Sequence, residues 1–308
     1  MHLPALLSEV VGALGGPSPQ TLEGWLVDGT LGAGGHSAAL LDACPRVRLI
    51  GIDQDPEVLV HARERLARFG ARARVRHARL STLERVLQEE GVARVVGVLL
   101  DLGASSLQFD HASRGFSFAV DAPLDMRMDP DRPRTAADIV NRWDEDDLAD
   151  LFLYEGGEPR ARKVAHAITE SRRRAPFLRT IALADLIERT LGRGGARAHL
   201  HPATRVFQAL RRAVNEEGDE LRAGLALAEA WLVHAGRLAV ISFHSGEDGA
   251  VKRFLADGAR DGRWHLLHKK PLRASEEELH ANRRARSAVL RCAERTRLNS
   301  ARSAEAGT

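Results

Sequence analysis

Asp28-Gly29-Thr30-Leu31-Gly32-Ala33-Gly34-Gly35-His36-Ser37 follows the apolar run Trp25-Leu26-Val27 and leads into Ala38-Ala39-Leu40-Leu41. Strand, glycine-rich turn and helix, in that order, open a nucleotide-binding βαβ unit. Glycines let a backbone approach a ligand closely, and the helix that follows presents unpaired N–H groups to whatever occupies the turn. A dinucleotide fingerprint spaces its glycines G-x-G-x-x-G/A around a pyrophosphate. Here an acid ends the strand and the glycines follow at 32, 34 and 35.

A carboxylate at that place suits a ligand with an amino group and no phosphate. S-adenosylmethionine, with its ammonium and sulfonium, has that chemistry. The next apolar run, Val47–Ile52, ends in Asp53, about 20 residues past the glycines, where such folds place an acid for ribose hydroxyls. Val95-Val96-Gly97-Val98-Leu99-Leu100 reads as a central parallel strand and ends in Asp101. The carboxyl ends of parallel strands line the ligand crevice of an open α/β sheet, so Asp28, Asp53 and Asp101 are expected along one rim. The fold class is therefore α/β, with a Rossmann-like sheet.

The β-α alternation stops after Asp101 for about 100 residues and resumes at Arg237–His244. Between them a polar loop, Arg114–Phe118 and Pro123–Asp129, precedes helical patterns with Thr135, Asp144 and Thr180 as caps. This reads as a helical insertion, 113–212, in a nucleotide-binding domain made of 1–112 and 213–308. Trp264–Leu272 and Ser287–Glu294 alternate as a terminal antiparallel pair.

Of the 308 residues 44% are apolar and only 5% aromatic, so the core must rest on Leu, Val and Ala. The net charge is only +3, yet the cations cluster at Arg172–Arg174, Arg211-Arg212, Lys269-Lys270 and Arg283–Arg286. Clusters beside a ligand-binding fold suit a polyanionic partner. Cys44 and Cys292 make neither a disulfide framework nor a metal-ligand spacing, and read as small core residues. No signal peptide or membrane-spanning run is legible, and the expected location is the cytoplasm.

Asp28–Ser37, Asp101–Gln108, Arg114–Phe118 with Pro123–Asp129, His201–Arg211, Ser242–Asp248 and Asn282–Arg291 together resemble the RsmH (MraW) family of bacterial small-subunit rRNA methyltransferases. The likeness runs in order from the N-terminal helix to about Arg295. It implies a class I methyltransferase sheet carrying an inserted helical substrate-recognition domain. It also implies S-adenosylmethionine-dependent N4-methylation of a cytidine in the decoding region of 16S rRNA. The partner is then 16S rRNA or the small ribosomal subunit, with no membrane, DNA or metal expected and a homodimer left open. Cofactor contacts carried over are Gly34, Gly35, His36, Asp53, Asp101 and Gln108, with Leu80 where the family often has Phe. Gly246 and Gly249 stand where the family has leucine and arginine.

The chemistry adds candidates. The exocyclic amine of cytosine is a poor nucleophile, so an acceptor on its N–H would help in the transition state. Asp101, Ser105 and Ser106 stand at the strand end where such acceptors are needed. Phe116, Phe118 and Met126 are candidates for enclosing an extruded base, and His244 for touching the substrate. Arg127, Arg205, Arg211 and Arg284 are candidate phosphate contacts. Three competing readings stay in view: a nicotinamide-dependent oxidoreductase, a non-catalytic RNA-binding protein with a vestigial nucleotide fold, and a methyltransferase of another substrate. The first lacks the glycine spacing it needs.

Overall fold

The computed structural model describes residues 3–105, 108, 112–192 and 201–296, without the side chains of 112, 283 and 284. The chain divides into two compact units, Met1–Gly103 with Asp219–Thr308, and Ala104–Gly218. The insertion therefore starts and ends several residues outside the 113–212 read from the sequence. Two contacts account for this. Ala104 packs with Phe116 and Met128, and Asn215 is hydrogen-bonded to the loop at 126–128.

In the first unit the strands are β1 (Gly24–Asp28), β2 (Val47–Asp53), β3 (Ala73–His77), β4 (Val95–Asp101), β5 (Leu232–Ser242), β6 (Trp264–Leu266), β7 (Leu272–Arg273) and β8 (Val289–Arg295). They form one sheet in the order β3-β2-β1-β4-β5-β8-β6, with β7 also on β8. The pairs among β1 to β5 are parallel, and β8 runs antiparallel to its three neighbours. This is the expected Rossmann-like sheet. Its topological switch point lies at β1, where the chain winds first to β2 and later to β4 on the other side. The terminal pair expected from alternation is a three-strand arrangement, because both short strands dock on β8.

Alternation along β1 sorts its side chains onto two layers. Trp25 and Val27 pack with Leu83, Leu87, Leu225 and Val251. Those residues belong to α4 (Leu83–Glu89), α10 (Glu217–Trp231) and α11 (Ser245–Arg260). Leu26 packs on the other face with Leu14, Leu40 and Leu59, from α1 (Leu7–Gly15), α2 (Gly35–Ala43) and α3 (Pro56–Leu66). Both sheet faces are thus covered, as a parallel sheet requires. Cys44 and Cys292 are buried and free, and burial pushes the Cys292 thiol up to about 12. No helix among the described residues is long and apolar enough to cross a membrane.

The second unit is helical: α5 (Ala136–Arg142), α6 (Glu145–Asp150), α7 (Ala161–Arg172), α8 (Thr180–Leu191) and α9 (Thr204–Asn215), with a π-helical turn at Leu151–Glu155. Their apolar stripes meet in one core that includes Ile139, Leu148, Phe152, Ile168, Leu183 and Leu210. Thr135 caps α5 as expected, in a reciprocal box with Asp138. Thr180 does not cap α8. Its hydroxyl accepts from Ala122 N and donates to Val120 O, so it pins a neighbouring segment. Asp121 of that segment supplies the acceptor for Ile181 N instead.

One buried amide organises the loop before α5. Asn215 has no exposed surface; its Nδ2 donates to Met126 O and Arg211 O, and its Oδ1 accepts from Met128 N, all at 2.8 Å. Met126 sits between those contacts at φ 65°, a left-handed conformation that costs a bulky residue and persists only where its surroundings enforce it. Asn215→Ala removes three hydrogen bonds of this buried amide. It is expected to destabilise the second unit by about 2–4 kcal/mol, measured as a lower midpoint in urea denaturation.

Candidate active site

The acids of the first unit occupy the ends of three strands and are wired to the glycine turn. Asp28, at the end of β1, accepts from Ser37 Oγ at 2.6 Å and from Thr30 N at 3.2 Å. Asp53, at the end of β2, reaches across to the turn. Its Oδ2 accepts from Gly32 N at 2.8 Å, while Oδ1 accepts from Asp55 N at 2.9 Å. At the end of β4, Asp101 N donates to Thr30 Oγ1 at 2.5 Å. Asp101 Oδ2 lies 3.6 Å from His36 Nδ1, whose ring also meets Ala5 O through Nε2 at 2.9 Å.

Burial dominates the electrostatics of this rim. It pushes the Asp28 carboxyl from 3.8 up to about 6 against the opposing pull of the Ser37 hydroxyl and His36, with Asp101 adding like-charge repulsion. Asp53 also stands at about 6, raised by burial and lowered less by the N–H groups of Asp55 and Gly32. Clustered carboxylates held above their usual range mark a place where negative charge is costly until a cation or hydroxyl donors arrive.

The backbone of the turn is closely packed. Gly34 enters α2 at φ 75°, and a Cβ on Gly35 would meet Pro4 Cγ at 2.5 Å. Leu80, in the short helical turn after β3, is buried. It fills the space beside Gly29, where a Cβ would lie 2.5 Å from Leu80 Cδ2. These residues fit a phosphate-free nucleoside with positive charge. Acids supply the polar lining and aliphatic carbon supplies a face.

His244 is committed to the fold. It caps α11, its Nδ1 accepting from Glu247 N at 3.3 Å, and its Nε2 lies 3.0 Å from Glu247 Oε1. Glu247 in turn accepts from Phe243 N. The residue that the sequence offered as a substrate contact thus belongs to the capping network of α11, which starts at Ser245.

In the second unit Gln108 is buried and its Oε1 accepts from Ser105 N at 2.8 Å. Ser105 O accepts from Gln108 N at 3.2 Å, so the two residues close one turn. Ser106 and the Arg284 side chain lie outside the described residues. Phe116 is buried with Ala104 and Met128, and Phe118 packs on Phe207 and His201 with ring centroids at 4.8 Å in both pairs. Phe116 and Met126 are thus packing residues, and Phe118 is half-buried between two rings.

Arg127, offered from the sequence as a phosphate contact, is bound within its own loop. Its Nε and NH2 bind Asp125, and its NH1 donates to Pro130 O and Arg132 O. Every nitrogen of this guanidinium staples its own loop, which leaves it poorly placed to receive a phosphate. Arg211 likewise forms a bidentate pair with Glu217 at 2.7 and 2.8 Å. Arg205 differs: it is half-exposed, and its ion pair is a long one, 3.8 Å to Glu158. Thr30 and Ser37, which hold Asp101 and Asp28, were not singled out from the sequence. Their position inside the glycine stretch, within hydrogen-bonding span of the strand-end acid, was the available signal.

The family model for the MraW methylase family matches residues 1–296. A small-subunit ribosomal RNA methyltransferase H of Methylobacterium sp. (strain 4-46) is 47% identical over 96% of this chain and 91% of its own. A protein of the same name from Synechococcus elongatus is 46% identical over 88% of each chain. Among solved structures, a Streptococcus mutans protein in complex with SAH overlaps 95% of this chain and 99% of its own. Its TM-score is 0.45 at 11% identity, a likeness too distant to carry an argument. With nearly the whole length matched by one family model, and close relatives matching from end to end, the chain belongs to the MraW methylase family.

Proposed function

We propose that this chain transfers a methyl group from S-adenosylmethionine to N4 of a cytidine in the decoding region of small-subunit rRNA, as a cytoplasmic enzyme. The observation that carries the reading is the rim of Asp28, Asp53 and Asp101 around the glycine turn. The family, and relatives named as small-subunit rRNA methyltransferases, support the substrate class.

S-adenosylmethionine supplies an electrophilic methyl group on a positively charged sulfur. The protein's own residues position and discriminate. Asp53, already anchored by two backbone N–H groups, has the remaining acceptor capacity for ribose hydroxyls. Asp28, held by Ser37 and Thr30, contributes fixed negative charge close to the turn. Gly34, Gly35 and His36 shape the backbone against which the ligand lies, and Leu80 offers an apolar face. Gln108 fixes the turn at Ser105.

Asp101, Ser105 and Ser106 are assigned as acceptors for the target amine, so that its nitrogen gains electron density as the bond to the methyl carbon forms. An acceptor that acts on the amine matters more in the transition state than in cofactor binding. Asp101→Asn is therefore expected to keep affinity for S-adenosylmethionine within a few-fold while the methylation rate falls by roughly 100-fold or more. Equal losses in both quantities would reduce Asp101 to a cofactor ligand. The helical unit, 104–218, is assigned to substrate recognition.

Methylation of small-subunit rRNA by the purified chain, followed by nucleoside mass spectrometry, tests the whole reading. N4-methylcytidine at one position is expected; a methyl group on another base or atom would overturn it.

The rim also sets a pH dependence. Asp28 and Asp53 both titrate at about 6 in the folded protein. Below that pH they take up protons and lose the charge that a cationic ligand requires. Affinity for S-adenosylmethionine is expected to rise with pH through about 6 and level off above 7, a trend calorimetry from pH 5 to 8 would follow. The same raised values act oppositely on the ligand-free fold. Their stabilising contribution is complete below 3.8 and is lost as pH climbs through about 6. Asp28→Asn should therefore gain in thermal stability relative to the parent chain at pH 7 compared with pH 4.

A further inference from the structure

Glu158 lies in the second unit between the π-helical turn and α7, with its side chain only 6% exposed. A carboxylate removed from water needs compensating charge or hydrogen bonds. Its Oε1 accepts from Arg160 N at 3.0 Å. Two guanidiniums then flank it, one on each oxygen: Arg160 Nε is 3.9 Å from Oε1 and Arg205 NH1 is 3.8 Å from Oε2. Both separations lie beyond hydrogen-bond range. The acid therefore attracts the two cations without consuming their N–H donors.

The Arg160 and Arg205 side chains are 54% and 49% exposed. Arg160 NH1 donates to Leu191 O at 2.8 Å, and the Arg205 guanidinium makes no hydrogen bond among the described residues. Nearby Arg212 behaves differently, being bound to Glu155 through both its carbonyl and its carboxylate. One buried negative charge and two half-exposed positive charges leave a local excess of one positive charge.

The backbone reinforces the arrangement. Arg160 occupies the N-cap position of α7 and Arg205 is the second residue of α9, so both residues belong to first turns of helices, where the backbone favours anions. Gly156 lets α9 approach the turn that carries Glu158; a Cβ there would lie 2.6 Å from Arg205 O.

We propose that Arg160 and Arg205 form a clamp for a backbone phosphodiester of the RNA substrate, with Glu158 as the positioning residue that holds both guanidiniums at one point. The inference rests on the rRNA reading above and adds Arg160 and Glu158 to it. Paired guanidiniums suit a tetrahedral phosphate, which accepts several N–H groups at once.

Binding of a fluorescently labelled small-subunit rRNA fragment from the decoding region to the full chain, followed across salt concentrations, tests the clamp. Arg160→Gln and Arg205→Gln are each expected to flatten the slope of log affinity against log salt by about 0.7–0.9. At 0.1 M salt that corresponds to roughly five-fold weaker binding. Glu158→Gln separates positioning from plain charge. Removing an anion beside RNA would strengthen binding if only net charge mattered, whereas loss of the positioning residue weakens it. Stronger binding by that variant would therefore overturn the role of Glu158. Thermal denaturation checks each fold, and should Glu158→Gln unfold, the two arginine variants with half-exposed side chains carry the test. Arginine variants that match the parent chain in slope and affinity would overturn the clamp and leave the rRNA reading standing. A parent chain that does not bind the fragment would overturn both.

Discussion

The hydrogen bond from Gly32 N to Asp53 Oδ2, at 2.8 Å, ties the turn after β1 to the end of β2. Loop backbone that lies this close to a sheet must satisfy its N–H groups within the protein, and here a side chain from the neighbouring strand does so. The same carboxylate holds Asp55 N, at the cap of α3. One residue thereby fixes the glycine turn and the entry to the next helix. Thr30 and Ser37 extend the wiring to Asp101 and Asp28. The geometry of the rim therefore does not depend on a ligand to assemble it.

That wiring has an electrostatic consequence. Carboxylates buried together raise one another's affinity for protons, because each disfavours the charged form of its neighbour and water is not there to screen them. Burial is the main reason that Asp28 and Asp53 sit at about 6, with the like charge of neighbouring acids adding a smaller push. The protein gives up some stability at neutral pH to keep these acids close together. Such local cost is typical of sites whose charge is completed by a ligand.

The arginines of the second unit fall into two kinds. Arg127 spends its donors on its own loop, and Arg211 and Arg212 spend theirs on carbonyls and carboxylates of neighbouring elements, so their loss would be felt as instability. Arg160, with one donor on Leu191 O, and Arg205 are half-exposed, and the buried acid that stabilises their charge takes none of their guanidinium donors. Sequence cannot separate these kinds, because both are arginines in polar surroundings. The distinction lies in whether an acceptor from elsewhere in the chain comes within hydrogen-bond distance.

By itself the sequence determined the parallel sheet, its strand-end acids and the position of the helical insertion. Those features follow from local signals: apolar runs such as Val95–Leu100, the glycine spacing after Asp28, and the return of β-α alternation at Arg237. Long-range partners were decided only by the tertiary structure. His244 became a helix cap, Thr180 a pin for residues 120–122, Arg127 a loop staple, and β8 the common partner of three strands. The physical reason is that a polar side chain's role is set by which unpaired backbone group or opposite charge folding brings beside it. In this chain those partners come from as far away as Asn282 and Leu3, 279 positions apart.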